Sequence, residues 1–259
     1  MRIALAQTYI EWENKAANLK MMRQIVLEAK ENNTDILLFP EMSFTGFSMN
    51  TQITADHDQE TKQAVADLAR VHRLCIGFGW VKTQGIKCEN LYTIVDDRGE
   101  TVVEYSKIHP FSYSGEDRFF TAGDSICLFE LGNIRMTVCL CYDLRFPEVF
   151  RKIGRQVEAV ILPANWPMER RDHWNTLLRA RAIENQVYVF AVNCVGDIGG
   201  KHYSGDSCVI DPLGRVLEEL DGKQGILYYD LEGDTQHYRS EFPVLDDIRD
   251  ENELMIKEM

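Results

Sequence analysis

Thr137-Val138-Cys139-Leu140-Cys141-Tyr142-Asp143-Leu144-Arg145-Phe146-Pro147-Glu148 decides how this chain is read. An apolar run of strand type gives way there to a helical pattern, the unit from which α/β proteins are built. Cys141 sits at the junction. A thiol facing the positive end of a helix dipole is expected to have a lowered pKa. A downward shift of about two units, equivalent to about 2.7 kcal/mol, makes the thiolate dominant near neutral pH. The position suits a nucleophile.

Outward from that stretch, apolar runs and amphipathic segments alternate along the chain. Strands are expected at residues 3–7, 36–39, 75–80, 91–96, 101–105, 134–140, 159–162, 188–193, 207–211 and 226–230. Helices are expected at 15–31, 58–73, 147–156 and 168–185. The first helix carries Leu19, Met22, Ile25, Val26 and Ala29 at three- and four-residue spacing, one buried stripe. Pro167 suits a helix start, with Glu169 and Asp172 complementing the dipole.

A weak internal repeat is present. Thr93-Ile94-Val95-Asp96-Asp97-Arg98-Gly99-Glu100 resembles Cys208-Val209-Ile210-Asp211-Pro212-Leu213-Gly214-Arg215, each a strand, a turn ending in glycine and a second strand. Ile36-Leu37-Leu38-Phe39-Pro40 likewise echoes Val160-Ile161-Leu162-Pro163. Two similar halves stacked sheet on sheet would leave this trace, and so would chance likeness between hairpins. No low-complexity linker divides the 259 residues, so one domain is expected, with the acidic tail (about 231–259) frayed or docked on a partner subunit.

Composition excludes several classes. A net charge of −13 opposes binding to nucleic acid or an anionic membrane. No stretch of about twenty apolar residues is long enough to span a bilayer. The apolar start, Ile3 to Ala6, is too short for a signal segment and meets Glu11 and Glu13 at once. Seven cysteines, an odd number, suggest free thiols in a reducing compartment, by default the cytoplasm.

Three strand ends carry chemistry. Glu41 follows Phe39-Pro40, Lys107 follows Tyr105-Ser106, and Cys141 follows the run quoted above. Singly, each has an ordinary reading as a helix-entry acid, a solvated lysine or a small core residue. Spacing alone does not show that they converge. Cys139 with Cys141 is too few thiols for zinc, and no HExxH pattern is present, so no metal is expected. No G-x-S-x-G elbow supports a serine nucleophile. Gly77 and Gly79 form half a dinucleotide fingerprint without the helix it needs. Arg145, Arg179 and Arg181 could bind substrate carboxylates, but chain position favours their pairing with Asp143, Glu148 and Glu184, holding the Cys141 region in place.

Phe39-Pro40-Glu41, Tyr105-Ser106-Lys107-Ile108-His109 and Cys139-Leu140-Cys141-Tyr142-Asp143-Leu144-Arg145-Phe146-Pro147-Glu148 resemble, in order, the three signature segments of the nitrilase superfamily of carbon–nitrogen hydrolases. The likeness continues through Leu162-Pro163-Ala164-Asn165-Trp166-Pro167, His173-Trp174 and residues 178–185. It implies an α/β fold, a four-layer αββα sandwich with two mixed sheets face to face, assembled as a homodimer or higher homo-oligomer. It implies a Glu41–Lys107–Cys141 triad. Cys141 attacks the amide or nitrile carbon, Glu41 acts as general base, and Lys107 with the Tyr142 backbone N–H donates to the oxyanion. Glu116 matches a second glutamate of the family; on composition alone it reads as a solvated loop acid. Asn165, Trp166 and Tyr113 are the candidate substrate-binding residues. The omega-amidase branch looks nearest, implying a small amide with a carboxylate, for which Arg170, Arg171 and Lys201 are candidate partners or plain surface cations. No cofactor is implied. A nitrile or N-carbamoyl hydrolase with the same triad, or a binding protein that lost turnover, are the alternatives.

Overall fold

Strand β1 (Arg2–Gln7) sends Ile3 and Leu5 to one core and Ala4 and Ala6 to another, the alternation of a strand buried on both faces. The computed structural model that shows this describes residues 1–232 and 235–249. Helix α1 (Lys15–Glu31) begins where the Asn14 side chain accepts the Ala17 N–H, and it buries Met22, Ile25, Val26 and Ala29 over β1. Then come β2 (Ile36–Leu38), the one-turn α2 (Thr51–Thr54), β3 (Ala55–Asp56), α3 (Glu60–His72), β4 (Cys75–Gln84), β5 (Lys87–Val95) and β6 (Thr101–Ser106). The middle of the chain supplies α4 (Glu116–Phe119), β7 (Leu128–Leu131), β8 (Ile134–Val138), α5 (Pro147–Ile153), β9 (Ala159–Ala164) and α6 (Arg171–Asn185). The last elements are β10 (Tyr188–Asn193), β11 (Val195–Ile198), β12 (Lys201–Ser204), β13 (Cys208–Ile210), β14 (Val216–Glu219), β15 (Gly225–Asp230) and α7 (Gln236–Glu241).

Two mixed sheets result. One runs β15–β1–β2–β4–β5–β6, with β3 paired to β4, and the other β7–β8–β9–β10–β13–β14. Along each path the pairings are antiparallel, parallel, parallel, antiparallel and antiparallel. The repeat in the sequence is therefore structural. In both hairpins an aspartate, Asp96 or Asp211, accepts two backbone N–H groups from its own turn.

Ile3, Leu5, Ile36, Leu38 and Tyr92 of one sheet meet Val138, Ile161, Phe190 and Val209 of the other in a shared central core. On the outer faces α1 and α3 cover the first sheet, and α5 and α6 cover the second. The architecture is an α/β four-layer αββα sandwich. Five strands not expected from the sequence, β3, β7, β11, β12 and β14, are only two to four residues long, so no extended apolar run marks them.

The tail, expected to fray or dock on a partner, does not fray over residues 235–249: it packs on its own chain. Arg239 donates to the carbonyls of Gly154, Val157 and Gln186, and Gln186 donates to that of Phe242. Leu245 is buried. Residues 233–234 and 250–259 of that expectation lie outside the described residues.

Candidate active site

Cys141 ends the approach from β8 in a strained backbone, φ +43°, a region that costs about 1–3 kcal/mol for a residue with a Cβ. It opens a five-residue 3-10 turn, Cys141–Arg145, and α5 starts only at Pro147. The thiol is thus not at the N-terminus of an α-helix, which corrects the sequence expectation. The turn is held by Asp143. Its carboxylate, fully buried, accepts the Leu140 N–H at 2.9 Å, the Tyr105 hydroxyl at 2.7 Å and the His109 N–H at 2.9 Å. These bonds tie the Cys141 turn to the chain on both sides of Lys107.

Arg181 donates twice to the Leu144 carbonyl, at 3.0 and 2.8 Å, and pairs with Glu184 at 2.8 Å. That pairing agrees with expectation. Arg179 instead donates to the Gly214 carbonyl, and Arg145 turns away from the acids beside it in sequence. Asp143 is unavailable to Arg145 because its oxygens face Tyr105 and His109.

Glu41, Lys107, Glu116 and Cys141 meet at one place. Lys107 Nζ donates to Glu41 Oε1 at 2.8 Å and to Glu116 Oε2 at 2.9 Å. Glu41 and Glu116 have no exposed surface, Lys107 is 1% exposed and Cys141 9%. Asn90, which the sequence did not single out, bridges the two carboxylates through Nδ2 at 2.8 and 2.9 Å. Glu41 Oε2 also accepts the Asn165 N–H at 3.1 Å, and the Glu41 carbonyl accepts Asn165 Nδ2 at 2.6 Å. Asn165 follows β9 as Glu41 follows β2, so equivalent strand ends of the two sheets meet here. Gly79 on β4 explains part of the closeness: a Cβ there would overlap the Glu41–Met42 backbone. The glycines of β4 serve packing and not a dinucleotide.

The charges decide the resting state. Burial would push Lys107 down, but Glu116 and Glu41 beside it hold the ammonium above the ordinary lysine range. Burial pushes the Cys141 thiol well above its ordinary range, Glu41 pushes it further, and Lys107 opposes both. The expected thiolate is therefore corrected to a neutral thiol, because a buried anion beside a carboxylate outweighs one ammonium and a short turn. Such a thiol needs a base. The Tyr142 N–H makes no hydrogen bond among the described residues, which leaves it open to an incoming oxygen.

Cys141 and Lys107 floor a narrow cleft of about 420 Å³, counting its open mouth. Phe47, Phe111, Trp166 and Pro167 make its apolar walls, and Asn165, Tyr203, Arg145, Arg170 and Lys201 add polar groups. Arg145 lies 4.7 Å over the Trp166 ring with His173 beside it, and Arg170 lies 5.3 Å over Phe111. Asn165, Trp166, Arg170 and Lys201 were singled out from the sequence. Phe47 and Tyr203 were not placed in the cleft, since nothing local marks them, while Arg145, weighed as a partner for a substrate carboxylate but expected to pair with an acid, lines it. Tyr113 is 83% exposed and stands at the mouth, outside the lining, with Arg170 over its ring. Arg171 is engaged with Asp206 at 2.7 Å. Among the described residues no three His, Cys, Asp or Glu side chains are grouped to hold a metal. No described helix is long and apolar enough to cross a membrane.

Residues 2–240 match the carbon–nitrogen hydrolase family. The 2-oxoglutaramate amidase of Bacillus subtilis is 34% identical over 254 residues, 95% of this chain and 97% of that one. The omega-amidase YafV of Escherichia coli K12 is 33% identical, covering 95% of this chain and 96% of its own length. Among solved structures, a CN-hydrolase superfamily protein of Xanthomonas campestris superposes with a TM-score of 0.91 at 30% identity, covering 96% of this chain and 97% of that one. A mutant of an amidase from Nesterenkonia, 26% identical with a TM-score of 0.84 and covering 94% of this chain and 98% of its own, carries acrylamide added to its active-site cysteine.

Proposed function

Because this chain belongs to the carbon–nitrogen hydrolase family, we propose that it is a thiol amidohydrolase splitting a small non-peptide amide into an acid and ammonia through a thioester on Cys141. The observation that carries the assignment of roles is the meeting of a buried carboxylate, ammonium and neutral thiol from Glu41, Lys107 and Cys141 at the floor of one cleft. Glu41 takes the thiol proton as Sγ attacks the amide carbon. The tetrahedral oxyanion forms between Lys107 Nζ and the Tyr142 N–H; one such donor is worth about 2.7–4 kcal/mol to the barrier. Glu41 then gives the proton to the nitrogen, and ammonia leaves. Water attacks the thioester with Glu41 again as base, and the acid departs. Glu116 and Asn90 hold Lys107 and Glu41 in place throughout. No step calls for a cofactor.

The substrate we infer carries a carboxylate. Arg145, Arg170 and Lys201 line the cleft of a chain with net charge −13, and none has a carboxylate partner among the described residues. An omega-amide of a dicarboxylic or keto acid fits this, as the names of the relatives suggest. Asn165 and Trp166 make the wall beside the nucleophile, and Tyr113 guards the mouth. A dimer through the outer helices, and a reducing, cytoplasmic setting suited to seven unpaired cysteines, belong to the same proposal.

The test compares kcat/KM for 2-oxoglutaramate with that for butyramide, in wild type and in Arg145→Gln. Unit charges at about 4 Å attract by about 4 kcal/mol at an effective dielectric of 20, before the cost of desolvation. We expect wild type to prefer the anionic amide by at least about tenfold. Arg145→Gln should lose most of that preference. Equal use of both amides by wild type would contradict the carboxylate assignment.

A further inference from the structure

His173 is an exposed residue in the first turn of α6, outside the lining of the cleft. The residues around it anchor that turn. Arg171 holds Asp206 through Nε at 2.8 Å and Nη2 at 2.7 Å, and Trp174 Nε1 donates to the Asp206 carbonyl at 3.0 Å. From this fixed turn His173 Nδ1 lies 3.1 Å from Nη2 of Arg145, which does line the cleft. A guanidinium has donors only, so Nδ1 is the acceptor and carries no proton.

Little else directs Arg145. It is half-buried, and among the described residues its side chain has no carboxylate partner and no second hydrogen-bond partner. Its guanidinium lies 4.7 Å over the Trp166 ring, which is itself fixed by the bond from Nε1 to the Arg170 carbonyl at 2.7 Å. An aromatic face attracts a cation without dictating where its N–H groups point. The imidazole supplies that direction, and it takes one of five N–H donors, leaving the rest for a ligand. Burial, with Arg170 adding to it, pushes the guanidinium below the ordinary arginine range, the mark of a charge not yet compensated. The type of residue at 173 matters for the same reason. A carboxylate there would also hold Arg145, but it would neutralise the cation and repel an anionic substrate. A neutral imidazole holds it and leaves the charge intact.

We propose that His173 is a positioning residue for substrate recognition, a neutral acceptor that aims the Arg145 guanidinium while leaving its charge for the carboxylate of an anionic amide. The inference rests on the carboxylate reading of the substrate given above. Because His173 acts through Arg145 and not on the reacting atoms, its effect belongs in KM more than in kcat.

His173 is exposed and its side chain bonds only to Arg145 among the described residues, so its substitution leaves the fold intact. Three variants separate the roles. His173→Phe keeps a ring without an acceptor, His173→Asn offers a neutral acceptor, and His173→Asp offers a charged one. The full-length protein and each variant, alone and combined with Arg145→Gln, are assayed with 2-oxoglutaramate and butyramide. We expect His173→Phe to raise KM for 2-oxoglutaramate by about tenfold with kcat within about twofold, and to lower kcat/KM for butyramide by less than about twofold. His173→Asn should recover most of the loss and His173→Asp should not. In the Arg145→Gln background none of the three should change the preference further. An unchanged KM in His173→Phe, an equal loss for both amides, or recovery by Asp as good as by Asn would overturn the proposal, and the carboxylate reading stands if Arg145→Gln still loses the preference. Should Arg145→Gln keep the wild-type preference, that reading and this inference fall together.

Discussion

Replacing Glu116 by Gln tests the electrostatics of the site in isolation from its nucleophile. In the wild type, Lys107 Nζ lies 2.9 Å from Glu116 Oε2 and 2.8 Å from Glu41 Oε1, all three side chains being buried. A unit pair at that distance attracts by about 6 kcal/mol at an effective dielectric of 20, and the repulsion between two carboxylates meeting on the same nitrogen returns about half. The glutamine brings a second penalty. Glu116 accepts at both oxygens, Oε1 from Asn90 and Oε2 from the Phe111 N–H, so either placement of the amide NH₂ sets a donor against a donor. Together the loss should be about 3–5 kcal/mol, the range seen when one partner of a buried pair is removed. For a chain of this size that lowers the midpoint of thermal unfolding by about 10 °C. Calorimetry of wild type, Glu116→Gln, Lys107→Met and the double variant closes a thermodynamic cycle, and the coupling energy should be about 2–3 kcal/mol. Ammonia release should fall with the loss of Lys107's second anchor. Wild-type stability in Glu116→Gln, or a coupling below about 0.5 kcal/mol, would refute the reasoning.

Two further outcomes follow from the same geometry. Glu41→Gln abolishes turnover and also lowers the pH at which Cys141 ionises, because a carboxylate that pushes the thiol up is gone while Lys107 remains. The thiolate absorbance of Glu41→Gln, read against its Cys141→Ala counterpart, should titrate below that of wild type; a midpoint unchanged or higher would contradict the sign. Asp143→Asn should cost about 2–4 kcal/mol, since its NH₂ would face the N–H of Leu140 or His109, and kcat should fall with the Cys141 turn loosened. Wild-type melting and turnover in that variant would remove Asp143 as the clamp.

Elements buried on a clear face were legible in the sequence. The helix over 15–31 and the strand over 188–193 match α1 and β10 residue for residue, because an unbroken apolar pattern marks them. Strands β7 and β14 were not, since they are sheet edges, and β11 and β12 form a separate polar hairpin. At the site, motif order carried Glu41, Lys107 and Cys141, while the identity of their neighbours did not follow from chain position. Cys141 looked like a thiolate because only its own strand and turn were in view; the carboxylate that keeps it neutral arrives from the other sheet. Arg145 looked paired for the same reason, two residues from an aspartate whose oxygens turn out to face β6 and the loop after it. Asn90 and Tyr203 carry no local signal at all, and only the fold brings the first to the two carboxylates and the second to the cleft.

Ammonia release from 2-oxoglutaramate by wild type and Cys141→Ala, with intact mass taken during turnover, is the most direct test of hydrolysis through a thioester on this residue. The account predicts steady release by wild type, an acyl adduct that maps to Cys141, and no release by a folded Cys141→Ala. Release from Cys141→Ala at the wild-type rate would contradict it.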